Sequence, residues 1–507
     1  MLKIGLSILV TISLVSGCAV SPKELSTKSM AEINDTDRQG FMKEVPEITG
    51  PLSLEEAIAR ALKYNLDQRV KMLEQSLAAG ELEAGRFDML PKLLADAGYD
   101  WRDNFSHRWE GEYVDKSTIP APIKGDPPNV SVDPRHGTAD LRLTWNILDF
   151  GASYYTARQN SDKLLIAAEK RRKAMHSLVR NVRTAYWRAV AAESLTSRVR
   201  QTIEASEDAL GQSQMLSRER VSAPDESLRY QRNLLENLRL LESVERELAS
   251  ARIELASLMG VLPGTRFELV VPETELEPIT VPMAELEAVA LLQNAELRQQ
   301  FLNVRIAVDE TRKSIVKLLP GVNLDFGTYY DSDRYLVNEN WRAAGISVSY
   351  NLFNLLSGPS RIEASERNES LAVAQRMAMQ MSVVTRVHLA KHQYTDALRQ
   401  YTRANQIYQV DNQLEQIVSG KYASNMVSEQ TRISASVTTI LSELRRYQAM
   451  SKFQEAVGQL QSDLGLEPAL GSLDDLSLEE LSESIRGWIS TGINSSANTM
   501  IGGGING

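Results

Sequence analysis

A chain of 507 residues with 56 Lys+Arg against 66 Asp+Glu, a formal charge of −10, lacks the basic excess expected of a nucleic-acid-binding protein. Its single cysteine, Cys18, excludes intrachain disulfides and cysteine-based metal sites in any compartment. Aromatic residues are scarce while Ala, Leu, Glu, Gln, Arg and Ser dominate, a composition that favours long helices over a large globular core.

The chain opens with one Lys and an apolar run from Ile4 to Val15, too short for a membrane helix and suited to a signal peptide over residues 1–17. The run ends in Val15-Ser16-Gly17-Cys18, which resembles a bacterial lipobox and makes Cys18 the expected lipidation site. Ala19 follows it, so no Asp signals retention in the inner membrane. Residues 18–50 are polar without apolar periodicity and read as an extended tether. Ser53 and Glu56 then form a capping box for a helix running to about Leu90, where Pro91 ends it.

Four stretches of about ten residues alternate apolar and polar side chains, the length a tilted strand needs to cross a bilayer in a barrel. They are expected as strands over 93–103, 138–148, 321–331 and 343–353. In the second, Ala139, Leu141, Leu143, Trp145 and Ile147 share one face, and Asp140, Arg142, Thr144 and Asn146 the other. Between the first two lies a loop with Pro120, Pro122, Pro127, Pro128 and Pro134, which forbid a continuous ladder and place it outside the membrane. A helix from about Ser153 to Glu219, roughly 100 Å long, then meets a reversal at Ser222–Asp225. Pro224 is acceptable in the first turn of the returning helix, which stops at Met259-Gly260.

After a connector over 263–282, residues 283–467 repeat the organisation of 51–262. Asn65 and Pro91 recur as Asn294 and Pro320, 229 positions on; Asn146, Ala185 and Gly260 recur as Asn351, Ala390 and Gly465, 205 positions on. The spacing shortens only between the strands, so the second outer loop, near Asp331 to Asn340, is short. Its helix reversal falls at Gly420–Asn425. Residues 468–507 form an extension with an amphipathic helix over Leu473–Ile489 and a flexible tail, IGGGING. Four strands cannot close a pore, because open edges are not tolerated in lipid, and helices of this length must bury their stripes against neighbours. Both features require an oligomer.

In their order, duplication and spacing, SLEEAIARALKYN, the pair LPKLLADAGYD and LLPGVNLDFGTYYD, the pair TWNILDFG and SYNLFNLLSG, and SGKYASNMVSEQ resemble the TolC-like outer-membrane efflux proteins, in the lipidated branch. The resemblance covers nearly everything from Pro51 to Leu466. It implies a mixed fold, an all-α periplasmic tunnel joined to a transmembrane β-barrel of four strands per chain, closed as a twelve-stranded homotrimer. It also implies a passive exit duct in the outer membrane, serving a tripartite efflux or type I-like export system through a periplasmic adaptor and an inner-membrane pump. No enzymatic activity and no cofactor follow from it. In the family, acidic residues near the second reversal ring the narrow end. Glu429, nine residues past Gly420, takes that role here, whereas Met426 stands where some members have a second acid. Asp225 and Glu226 on the first reversal are candidates for a further acidic layer, and Lys421 and Tyr422 for contacts that hold the gate shut.

Other chemistry is thin. His388 and His392 have a metal-ligand spacing on one helical face, but Leu389 replaces the glutamate that a hydrolytic zinc helix needs. The competing reading is a non-transporting periplasmic coiled-coil lipoprotein scaffold, which has no use for four strands with one lipid-compatible face.

Overall fold

A computed structural model describes residues 24–108, 110–111, 122–123, 129–219, 224–272, 276–468 and 475–504. The signal peptide, Cys18, Ser222 and Ala223 lie outside the described residues. The chain divides into two units, Met1–Pro51 and Leu52–Gly507. In the first, Thr27–Glu44 form helix α1, where an extended tether was expected. The Ser26 hydroxyl caps it, accepting from the Ser29 N–H at 3.1 Å, and good helix formers such as Met30, Ala31, Glu32 and Arg38 extend it without an apolar stripe.

In the second unit, Ser53 caps α2 (Leu54–Tyr64), accepting from Glu56 N at 3.2 Å. The single helix expected as far as Leu90 is instead broken at Asn65, whose backbone is extended (ψ 127°) and whose side chain accepts from Gln68 N at 3.1 Å to start α3 (Leu66–Phe87). An asparagine side chain competes with the helix for backbone donors, and here it wins because its amide is also used elsewhere. The long strands follow as β1 (Lys92–Trp101) and β2 (Arg135–Asn146), with two-residue ladders in the loop between them. Helix α4 (Ile147–Arg218) is 72 residues long, starting earlier than expected because Asn146 caps it, and α5 (Pro224–Leu258) returns from it. The second half supplies α6 (Met283–Gln293), α7 (Ala295–Val316), β3 (Gly321–Asp331), β4 (Asn340–Ser349), α8 (Asn354–Ala423) and α9 (Glu429–Leu464). Strand β4 lies a few residues before its expected range, because the Asn351 side chain accepts from Phe353 N at 3.0 Å and turns the chain toward α8.

Two junctions are built alike. Asn65 Nδ2 donates to the Leu258 carbonyl, and Asn294 Nδ2 to the Asp463 carbonyl, each at 3.1 Å. Just beyond, Gly260 and Gly465 both take φ +70°, and a Cβ on either would approach a carbonyl oxygen, that of Tyr64 at 2.5 Å or Gln293 at 2.4 Å. Only glycine fits this left-handed close approach. Each junction locks the end of a returning helix against the break in the helix pair that leads to a strand.

Helix α10 (Leu478–Gly504) runs well past its expected end and takes in the start of the glycine-rich tail, with a kink at Gly492. Its start is a capping box: Ser477 Oγ accepts from Glu480 N, and Glu480 reaches back to Ser477 N at 2.8 Å. Leu481, Ile485, Ile493 and Ala497 are buried as it packs on α2 and α6. Arg183 of α4, itself buried, lies beneath Trp488 at 5.6 Å and donates to Gln461.

Candidate functional site: the sheet faces and the helix reversals

Strands β1 to β4 form one antiparallel sheet in chain order. Register decides which side chains share a face, because strand side chains alternate with period two. Leu93 pairs with Leu143, Leu143 with Phe326, and Phe326 with Ala344; Leu141 pairs with Ala95, Leu324 with Ile346, and Val322 with Val348. The four apolar sets therefore merge into one continuous face. It is open, with Leu93 65%, Ile346 72% and Val348 68% exposed.

The opposite face is wet and charged. Arg142 spans Asp96 at 2.7 Å and Asp140 at 2.5 Å, and Asn146 donates to Asn323 at 2.6 Å. Near the far end of the sheet, Arg334 pairs with buried Asp133 at 2.5 Å, and Asp133 N donates to Asp333 at 3.0 Å. No helix among the described residues is long and apolar enough to cross a membrane.

At the other end of the long helices, α8 closes with Asn425 in the left-handed region (φ 55°), Met426 N donating to the Lys421 carbonyl and Asn425 N to that of Tyr422, each at 2.9 Å. Ser428 caps α9, so Glu429 stands in its first turn, where the helix dipole favours a carboxylate. Glu429 pairs with Arg432 at 3.3 Å, and the Arg432 guanidinium lies over the Tyr422 ring at 5.1 Å. Tyr230 of α5 borders this group. Burial raises its phenol pKa, and Glu429 and Tyr422 raise it further. Glu226 and Tyr230 line one groove with Gln212, Leu216 and Gln430, so the two reversals meet. Glu226, Glu429 and Tyr422 thus belong to one neighbourhood, Asp225 lies exposed beside it, and Lys421 is exposed and contributes its backbone carbonyl. Arg432 and Tyr230 escaped sequence reasoning, although Arg432, three residues after Glu429, is a readable helix pair.

Higher on the helices, Arg198 of α4 reaches Glu443 of α9 at 2.6 Å and Glu415 of α8 at 3.0 Å. Arg446 is held between Tyr408 and Tyr447, at 4.3 and 4.8 Å from their rings. Burial raises the Glu443 carboxyl pKa, against the pull of Arg198 and Arg446. Along the α4–α7 seam, Arg158–Asp309, Asp162–Arg305 and Glu169–Arg298 pair at 3.1, 2.6 and 2.8 Å, each with a buried carboxylate. His388 and His392 face separate carboxylates, Glu287 at 2.8 Å and Asp396 at 3.0 Å. Among the described residues no three His, Cys, Asp or Glu side chains gather as a metal site.

His176 on α4 is buried, and burial first, then the Arg172 charge, lowers its pKa from 6.5 to about 4. Glu467 at 3.8 Å is too far to accept a hydrogen bond from it and does not offset this. A depressed pKa means that the unfolded chain takes up a proton before the folded one. Stability is therefore full above pH 6.5 and falls as pH drops toward about 4. His176→Leu should flatten this part of the pH profile of the thermal midpoint, and an unchanged slope would assign the acid loss to other groups.

No protein-family model matches the chain, and no curated protein matches it in sequence. Solved structures do resemble it. The outer membrane channel CmeC of Campylobacter jejuni matches with a TM-score of 0.64 at 13% identity, covering 85% of this chain and 89% of that one. A membrane protein from Pseudomonas aeruginosa gives 0.63 at 16% identity, covering 84% and 92%. The open state of the MtrE outer membrane channel of Neisseria gonorrhoeae gives 0.60 at 16%, covering 81% and 88%. The long helices and four-stranded sheet thus give this chain the fold of these outer membrane channel structures.

Proposed function

We propose that this chain is a TolC-like, lipid-anchored exit duct of the outer membrane, passing substrates outward from an inner-membrane pump through a periplasmic adaptor. The observation that carries this reading is the sheet: four strands with one continuous apolar face, a charged opposite face, and outer edges on β1 and β4 that pair with no other strand among the described residues. Three copies joined edge to edge give a twelve-stranded barrel without exposed edges, lipid outside and water within. The matching Asn–Gly junctions support an origin by duplication of one helix-strand-strand-helix-helix unit. Cys18 carries the lipid, and the helix body extends into the periplasm.

At the periplasmic end, three copies of Glu429 form the acidic ring, backed by Glu226 and Asp225, with Tyr422 and Lys421 in the contacts that shut it. Carboxylates crowded in a narrow ring repel one another and attract cations. Purified protein should cross-link as a trimer and form cation-selective channels in planar bilayers. Glu429→Gln, which keeps the side-chain size, should lower that selectivity and the block by trivalent cations. A monomer without conductance would overturn the duct. Unaltered selectivity in the variant would reduce Glu429 to the helix-end charge that Arg432 already pairs. Cys18→Ser should leave unlipidated precursor, and persistent fatty-acid labelling would remove Cys18 as the anchor.

A further inference from the structure

Resting on that duct reading, we infer that the charged face of β3 and β4 holds, inside the outer part of the barrel, a binding site for planar aromatic cations. Among the described residues, Tyr329 and Trp341 are the only large aromatics on that face of β3 and β4, and they stand directly opposite one another. Their rings stack at 5.4 Å between centroids with an interplanar angle of 10°. Tyr329 leans back over Gly327, where a Cβ would meet its ring at 2.9 Å. Filling the gap over that glycine takes Tyr329 alone; Trp341, 42% exposed, extends the aromatic surface beyond it.

The next layer along the strands is empty. Gly345 stands opposite Asp325, and a Cβ on Gly345 would meet nothing within 4 Å. Asp325 is exposed and takes part in none of the ion pairs found among the described residues, whereas Arg142 on the same face is already matched by Asp96 and Asp140. Asp325 lies two residues from Gly327, about 7 Å along the strand. An electron-rich ring pair and an unneutralised carboxylate, one ring-width apart over an open floor, suit a flat aromatic ligand bearing a positive charge. The ring rests against Trp341 and Tyr329, and the charge lies at Asp325. An aromatic anion is repelled, and an aliphatic cation has no ring to stack.

Purified protein in detergent is titrated with proflavine, followed by the anisotropy of the dye, and the same preparations are examined in planar bilayers without dye. Wild type should bind, and both Asp325→Asn, which preserves shape, and Trp341→Ala should weaken binding roughly tenfold. Tetramethylammonium, which can make the cation–π contact but not the ring stacking, should displace the dye only in large excess. Dye-free conductance should persist in Asp325→Asn, separating loss of the site from loss of the channel. Equal binding by wild type and both variants, or no binding at all, overturns the site, and conductance in those preparations leaves the duct intact. Variant-sensitive binding without any conductance instead overturns the placement of the site in a lumen.

Discussion

Leu143→Arg should block assembly in the outer membrane, at a cost of about 2–4 kcal/mol if the residue lies near the bilayer midplane. Leu143 is at the centre of the apolar face, between Leu93 and Phe326, so in the proposed barrel an arginine there would have hydrocarbon around it and no carboxylate on its side of the sheet. Val348→Arg, opposite Val322 on the same face, should behave alike. Ser347→Arg is the control. It sits one residue away, opposite Asn323 on the watery face, and should leave folding intact while changing conductance. Folding yield into lipid vesicles, read by heat-resistant electrophoretic mobility, separates the two faces. Equal tolerance of Leu143→Arg and Ser347→Arg would mean that the apolar face does not meet lipid.

Gly465→Ala should be the most damaging single-methyl change in the helical body. The residue is left-handed at φ +70°, which costs an alanine about 1–2 kcal/mol, and the new Cβ would come within 2.4 Å of the Gln293 carbonyl oxygen. Relief requires the end of α9 to move from the α6–α7 break, straining the Asn294–Asp463 hydrogen bond. We expect a total near 3 kcal/mol, with Gly260→Ala close behind because its Cβ would meet the Tyr64 carbonyl at 2.5 Å. Gly264 separates the two contributions: it also has positive φ, at +96°, but nothing lies within 4 Å of its Cβ position. Gly264→Ala should therefore show the backbone cost alone. Thermal unfolding of the three variants decides it, and a Gly465→Ala midpoint no lower than that of Gly264→Ala would rule out the close approach.

Much of this protein was legible because its signals are local. Alternation with period two marks β1 to β4 whatever they pair with, and Pro91 just past α3, Pro224 in the first turn of α5 and Gly260 just past its end mark helix limits by their own backbone chemistry. The recurrence of Asn65 as Asn294 and of Gly260 as Gly465 was visible as spacing. Their purpose was not, since each asparagine works by donating to a carbonyl far along the chain, at Leu258 or Asp463. The same distance hid the breaks at Asn65 and Asn294, because a capping asparagine inside a helical pattern looks tolerable until its amide finds a partner. Helix α1 leaves no periodic trace in the sequence because an exposed helix needs a cap rather than an apolar stripe, and stripes are what periodicity detects. Near the reversals, position marks Glu429 and helical spacing marks Arg432, but only folding lays Tyr422 against that arginine and sets Tyr230 beside them. Arg198, joining α4 to both arms of the α8–α9 hairpin, carries no local signal, since its partners Glu415 and Glu443 are more than 200 residues away. Periodicity and backbone restriction act within a turn or a strand and can be read from neighbours in sequence, whereas ion pairs and close approaches depend on which helices the fold lays side by side.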